Sequence, residues 1–426
     1  MNQQFLEMLS IFVFMYPAGM AIYWVSASLC YYLFMEGKLG QPTFQQMPKE
    51  RVPMVSIMVP CYNEGDNLDE SIPYLLQLRY PNYELIFIND GSKDNTGDII
   101  ERWAKADKRV IALHQENQGK ASALNHGLLV AKGEYVACID GDAVLDFDAI
   151  DYMVQSLELN RSYGAVTGNP RVRNRSTILG RLQVSEFSSI IGLIKRAQSL
   201  MGTIFTVSGV CCLFRKEIME EIGGWSSNMI TEDIDISWKI QTAGYNIMYE
   251  PRALCWVLMP ERISGLYKQR LRWAQGQFDC ADRYIPKLFA IGIKTGNIMI
   301  LDGIFQVSQP YFLLLTTVYL VLSYINAYTP IYTNILYQIM PMSVWTIIGV
   351  GQYLFPLIVL LKIKVPPKIW FYYLLYPLFV YSWIPVNILG WFRRHNKVWS
   401  HTVHTRAVGL DDVKLTRMGN MNKNKK

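Results

Sequence analysis

Charge is scarce in this sequence and absent from long parts of it. Only 18% of its 426 residues are Asp, Glu, Lys or Arg, against 51% hydrophobic residues, a balance too apolar for an ordinary soluble enzyme of this size. Met8–Met35, Gly303–Leu361 and Ile369–Phe392 hold no charged side chain, and about 20 apolar residues suffice to cross a bilayer. The seven cysteines include no C-x-x-C pair, which excludes a zinc ribbon and a dense disulfide framework and fits a reducing compartment. There is no internal repeat and no low-complexity tract apart from the Lys/Asn-rich end Asn420–Lys426, read as disordered. The net charge of +6 is small and gathers at membrane-flanking positions and in Arg393–Lys426. Anionic lipid accounts for it, so no nucleic-acid partner is called for.

What is present is a charged middle section between apolar blocks. The first block has only Glu7 before it and no clean cleavage site after it, so it reads as a retained anchor rather than a signal peptide. Lys38, Lys49 and Arg51 follow, and the positive-inside rule then puts the middle section in the cytosol of a multi-pass plasma-membrane protein. The expected organisation is an N-terminal anchor over residues 1–36, a cytosolic catalytic domain over 37–262, interfacial helices over 263–304, a transmembrane region over 305–392 and a basic cytosolic tail over 393–426.

Within the middle section, strand-like runs at Val55–Val59, Leu85–Ile88, Val110–Leu113 and Tyr135–Ile139 alternate with helical patterns such as Asn95–Ala106 and Ala121–Ala131. That alternation predicts an α/β domain with a mostly parallel sheet. Ligands of such sheets bind beyond the carboxyl ends of the strands, where Asp90, Asp140 and Asp142 fall.

Four constellations carry candidate chemistry. Pro60-Cys61-Tyr62-Asn63-Glu64 and Asn89-Asp90-Gly91-Ser92 offer carboxylates and a ring that can bond and stack a uracil, although either piece alone is also an ordinary turn. Asp140-Gly141-Asp142 offers the oxygen ligands that Mg²⁺ or Mn²⁺ prefers, shared with substrate phosphate; a solvated loop is the plainer alternative. Thr231-Glu232-Asp233 opens a helix, either as capping or with Asp233 as general base. Glu232 and Asp235 are its rivals, pointing about 100° and 200° away on a helix, so that only one faces the site squarely. Gln269, Arg272 and Trp273 share a helix face that suits a sugar beside a phosphate, or equally an interfacial helix. Gly119-Lys120 can present a helix N-terminus and an ammonium to phosphate, or simply start a helix.

Asp90, Asp140/Asp142, Thr231-Glu232-Asp233 and Gln269-x-x-Arg272-Trp273, in this order and spacing, resemble the processive family 2 glycosyltransferases, which include cellulose, hyaluronan and chitin synthases. Thr167–Arg173, Ser188–Gly192, Val207–Val210, Tyr249–Trp256 and Leu258–Glu261 are most similar to the bacterial poly-β-1,6-N-acetylglucosamine synthases. The resemblance covers about Val55 to Gly276. It implies a GT-A fold with α-helical transmembrane segments, and an inverting enzyme that polymerises N-acetylglucosamine from UDP-N-acetylglucosamine into a biofilm exopolysaccharide and translocates it. By position, Tyr62 and Asp90 with their neighbours Pro60 and Glu64 would hold uridine, Asp140 and Lys120 the donor, and Asp142 the Mg²⁺ or Mn²⁺. Asp233 would activate the acceptor, and Glu232, Gln269, Arg272 and Trp273 would line the growing polysaccharide. A small membrane subunit is a partner by analogy.

The alternatives are a hyaluronan- or chitin-like synthase, which shares every core motif, and a non-catalytic membrane subunit, which intact carboxylates argue against. Arg171-x-x-x-Arg175 matches half of a cyclic-dinucleotide signature without its second half, and reads as structural or donor-facing. Trp399-Ser400-His401-Thr402 weakly resembles the gating segment of hyaluronan and cellulose synthases, which requires a cytosolic tail. Ile369–Phe392, interrupted by Pro377 and Pro385, is therefore expected to be re-entrant or kinked.

Overall fold

The computed structural model describes residues 19–20, 22–36, 40–296, 300 and 367–396. The rest of the N-terminal block, most of the expected transmembrane region and the tail with Trp399–Thr402 lie outside the described residues. Among the described residues no helix is long and apolar enough to cross a membrane.

The catalytic section is built on one eight-stranded sheet in the order β3-β2-β1-β4-β7-β6-β8-β5. β1 (Val55–Cys61) lies parallel to both β2 (Tyr83–Asp90) and β4 (Tyr135–Cys138), and β2 parallel to β3 (Val110–Gln115). The four expected strands are thus observed, with ends shifted by a few residues. The uniform hydrophobicity of β1, β2 and β4 follows from burial on both faces, whereas β3, at the edge of the sheet, is only half-buried. Ile57 and Val59 point into one core with Leu68, Ile72 and Leu75 of the Gly65–Leu75 helix, while Met58 points into the other with Leu124 and Leu128 of the Lys120–Val130 helix.

Beyond β4 the chain departs from simple alternation. β5 (Val144–Leu145), β6 (Tyr163–Val172), β7 (Cys212–Arg215) and β8 (Asn246–Val257) extend the sheet, with β7 antiparallel to both β4 and β6. β8 runs parallel to β6 with register shifts at Tyr163/Ala165 and Thr167/Asn169, and antiparallel to β5. The family-like segments around Thr167–Arg173 and Tyr249–Trp256 are these neighbouring strands.

Residues 263–295 form a single 33-residue helix, Ile263–Thr295, where several interfacial helices were expected. It packs against the Glu232–Thr242 helix and the Trp383–Phe392 helix. A Cβ built on Gly276 meets Thr231 Oγ1 at 2.0 Å, and one on Gly390 meets the Ala274 side chain at 2.5 Å. Glycine at both positions lets three backbone segments approach closely. The last described stretch is broken into Pro367–Leu374, Tyr376–Tyr381 and Trp383–Phe392, with interruptions just before Pro377 and Pro385, each of which removes a helical donor. The helix is thus interrupted at Leu375 and Ser382.

The first block is tied to the catalytic section where it ends. Tyr31 donates to the Tyr249 carbonyl at 2.6 Å, and Glu36 pairs with buried Arg196 at 2.8 Å.

Candidate active site

The strand tips converge on a cavity of about 480 Å³. Pro60, Tyr62, Glu64, Asp90, Lys120, Asp140, Asp142, Glu232, Asp233, Gln269, Arg272 and Trp273 all line it, so every candidate site residue reaches the same space.

At one end, Cys61 and Asn89 face each other at the tips of β1 and β2. Asn63 turns the chain with φ 54° and bonds Ser92 and Lys93, which clamps Tyr62 to the Asp90 loop. Asp90 accepts from the backbone N–H of Gln118 at 2.9 Å and of Gly119 at 2.8 Å, and from Gln115 Nε2 at 2.8 Å. It therefore fixes the loop that leads into Lys120, and Gly119 at φ 89° is the turn that only glycine makes easily. The carboxylate expected to hold uridine thus positions this loop.

Ser71 Oγ pins the Asp140–Asp142 turn by donating to the Gly141 carbonyl at 2.9 Å. Burial, reinforced by the charge of Asp140, pushes the Asp142 carboxyl up to about 7 despite Lys120 and Arg173. Burial and the charge of Asp142 push Glu64 up to about 8, against a hydrogen bond from Asn67. Negative charge is thus crowded at this end. Among the described residues no three His, Cys, Asp or Glu side chains group to hold an ion by themselves.

Lys120 spans the centre, its Nζ 2.6 Å from Asp140 Oδ1 and 2.7 Å from Glu232 Oε1. Burial pulls the ammonium down, but the two carboxylates outweigh it and hold its pKa well above the usual lysine value. The Lys120 ammonium expected at phosphate is here committed to carboxylates. Glu232 is buried, yet Lys120 and Arg272 bring its pKa below the usual range. Asp233 has the opposite fate: burial and the adjacent Glu232 charge push it up to about 6, although it accepts a hydrogen bond from the Ile234 N–H at 2.9 Å.

The expectation that only one of the three acids faces the site needs correction. Glu232 and Asp233 both line the cavity, because the helix begins at Glu232 and its first residue is not yet wound away. Asp235 is the one excluded, buried under Tyr284, whose hydroxyl donates to it at 2.9 Å, and Arg283.

At the other end, the Ile263–Thr295 helix presents Gln269, Arg272 and Trp273, with Gln277 beside them. The Arg270 guanidinium sits 4.3 Å from the Trp273 ring centre and 4.8 Å from that of Trp383, held by Glu186. Among the described residues, buried Gln269 Oε1 and Arg272 Nε have no hydrogen-bond partner. Such orphaned atoms call for a polar ligand.

Sequence reasoning missed Asn117, Lys195, Gln198 and Ser208, and the apolar wall of Phe187, Ile191, Ile194, Phe205 and Met259. Ser208 and Met259 lie in segments whose family resemblance was visible; Lys195 and Gln198 carried no signal. Arg171 and Arg175 do not line the cavity, and Arg175 stacks 5.8 Å from the Trp256 ring, so the structural alternative for that pair holds.

The mostly parallel sheet brings an aromatic ring and carboxylates at its strand tips to one cavity, in keeping with a GT-A-like glycosyltransferase domain. The sequence profile described as Glycosyl transferase family 2 matches residues 56–223. A mannosyltransferase, PcManGT from Pyrobaculum calidifontis, solved in complex with GDP-Man and Mn²⁺, superimposes with a TM-score of 0.55 at 21% identity, covering 88% of this chain and 98% of its own. The two share a fold. The poly-β-1,6-N-acetyl-D-glucosamine synthase of Staphylococcus epidermidis is 43% identical over 315 residues, 74% of each chain. That of Staphylococcus aureus strain MSSA476 is 43% identical over 265 residues, 62% of this chain and 64% of its own. The chain belongs to the poly-β-1,6-N-acetyl-D-glucosamine synthase family of family 2 glycosyltransferases and is a hexosyltransferase.

Proposed function

We propose that the protein polymerises N-acetylglucosamine from UDP-N-acetylglucosamine into a β-1,6-linked chain, by inverting and processive transfer. The observation that carries this reading is the division of labour between Glu232, neutralised by Lys120, and Asp233, whose carboxylate titrates near 6. A base is most effective when its pKa lies near the working pH. Asp233 takes the proton of the acceptor's sugar hydroxyl as its oxygen attacks C1 of the donor. The C1–O bond to UDP breaks, UDP leaves with the electron pair, and the configuration at C1 inverts. Asp233 then gives its proton to solvent. Tyr62 and the Asp90 loop hold the uridine, while Gln269 and Arg272 offer their unpartnered atoms to hydroxyls of the chain end.

The crowded acids at Glu64, Asp140 and Asp142 fit a divalent cation, since hard carboxylate oxygens suit Mg²⁺ or Mn²⁺ and a cation would relieve their mutual repulsion. Asp142 would hold it, with diphosphate oxygens completing its coordination, and the bound ion would neutralise the charge developing on the leaving diphosphate.

A plasma-membrane location with the catalytic face in the cytosol, and passage of the polymer through the membrane, belong to the same proposal. Exposed apolar side chains support a lipid-facing setting: Ile263 and Ile293 on the long helix, Leu374, Leu378 and Phe392 on the last three. The small membrane subunit rests on analogy alone.

The test is UDP release from UDP-N-acetylglucosamine by the purified protein. Release accompanied by high-molecular-weight polymer is expected. An intact donor after long incubation, or release with free monosaccharide alone, would contradict the reading.

A further inference from the structure

Lys195 stands on the Gly192–Leu200 helix, buried in the cavity wall. Its Nζ donates to Ser208 Oγ at 2.6 Å and to Thr167 Oγ1 at 3.2 Å. Among the described residues no carboxylate lies within ion-pair distance of it, in contrast to Lys120. Burying an ammonium against hydroxyls alone is costly. Burial draws its pKa down to about 8, with Cys211, Asp233 and Cys212 pulling the other way. An ammonium has three protons to donate, and the two hydroxyls leave one over.

The position of this group is tied to the reaction centre. Ser208, its nearer partner, precedes Gly209, whose Cβ direction runs into Asp233 Cβ at 3.3 Å and into Glu232 Oε1 and Lys120 Nζ at 3.4 Å. Lys195 is therefore linked through Ser208 and Gly209 to the wall beside Asp233. Lys120, the other lysine of the cavity, is already committed to two carboxylates. Ile194, Phe205 and Val207 add an apolar lining to the same wall. A single donor beside an apolar surface matches an amide carbonyl with a methyl group attached.

On the reading of the cavity as a UDP-N-acetylglucosamine site, we propose that Lys195 recognises the acetamido group on C2 of the donor sugar. Its remaining N–H donates to the amide carbonyl oxygen, and the apolar wall receives the methyl group. Lys195 is thereby a specificity-determining residue for N-acetylated donors.

The test compares wild-type protein with Lys195→Met and Lys195→Arg, using UDP release from UDP-N-acetylglucosamine and from UDP-glucose, with inhibition by UDP measured alongside. Lys195→Met is expected to lose roughly 30- to 100-fold in kcat/KM for UDP-N-acetylglucosamine and less than about threefold for UDP-glucose, because only the first sugar loses a hydrogen bond. UDP inhibition stays unchanged, and Lys195→Arg recovers part of the discrimination. Equal losses for both sugars would make Lys195 structural, and weakened UDP inhibition would place it at the diphosphate; either result overturns the proposal. Should Lys195→Met fail to fold, Lys195→Gln, which keeps a donor, is expected to give an intermediate ratio, and equal losses in it are equally fatal. A wild-type protein that leaves UDP-N-acetylglucosamine intact overturns the functional reading and this one with it. Wild-type turnover with an unchanged sugar ratio in the variants overturns Lys195's role alone.

Discussion

Lys120 donates to Glu232 at 2.7 Å, and that contact separates two acids which stand side by side in the chain. Glu232 is held ionised as a partner of the ammonium. Asp233, half-buried beside that fixed negative charge, binds a proton more tightly and can exchange it near neutral pH. The adjacent pair behaves as one unit with two roles.

Removing the base should therefore spare donor binding. Asp233→Asn is expected to keep its affinity for UDP-N-acetylglucosamine while elongation falls by at least about 10²-fold, since general-base catalysis is worth that much or more. Glu232→Gln should weaken the Lys120 bridge and retain more activity than Asp233→Asn. Donor binding and elongation rates of the two variants check this; near-normal elongation by Asp233→Asn with Glu232→Gln inactive would move the base to Glu232.

The pH profile follows from the same group. Asp233 works only when deprotonated, and its carboxyl is raised to about 6. Activity should be full above that value and fall about tenfold per unit once pH drops well below it. The acid limb of kcat/KM against pH measures it. A limb near 4, where an unperturbed carboxylate titrates, would mean that the base is not this acid.

How much of this was legible in the sequence depends on how local the signal is. β1, β2 and β4 read directly from runs such as Val55–Val59, because strands buried on both faces are apolar throughout. β6 and β8 did not, since Gly168, Pro170, Pro251 and Arg252 break the strand pattern and the pairing shifts register there. The acids were legible because they stand at strand ends and a helix start, positions that pattern alone predicts. The role of Lys120 as a bridge was not, for it requires three distant segments to meet. Lys195 is a lone lysine in a helical stretch, and only tertiary packing buries it.

The crowded carboxylates give a second expectation. Chelation with EDTA should abolish UDP release, and Mg²⁺ or Mn²⁺ should restore it, because the diphosphate would otherwise leave into a cluster of negative charge. Measuring release with and without each ion decides the matter. Full turnover in excess chelator would remove the metal from the account.

Trp273 presents a ring to the cavity while Arg270 stacks on it at 4.3 Å. Trp273→Ala is expected to cost about 1–3 kcal/mol in positioning of the chain end and to suppress polymer more than hydrolysis of the donor. Polymer yield and UDP release, measured on the same variant, separate the two effects. Equal loss of both would assign the ring to packing between the long helix and Trp383.

The linkage of the product tests the central claim most directly. Polymer made from UDP-N-acetylglucosamine by the purified protein should be digested completely by a β-1,6-specific N-acetylglucosaminidase and resist chitinase. A product that resists the first enzyme and is degraded by chitinase would contradict the account.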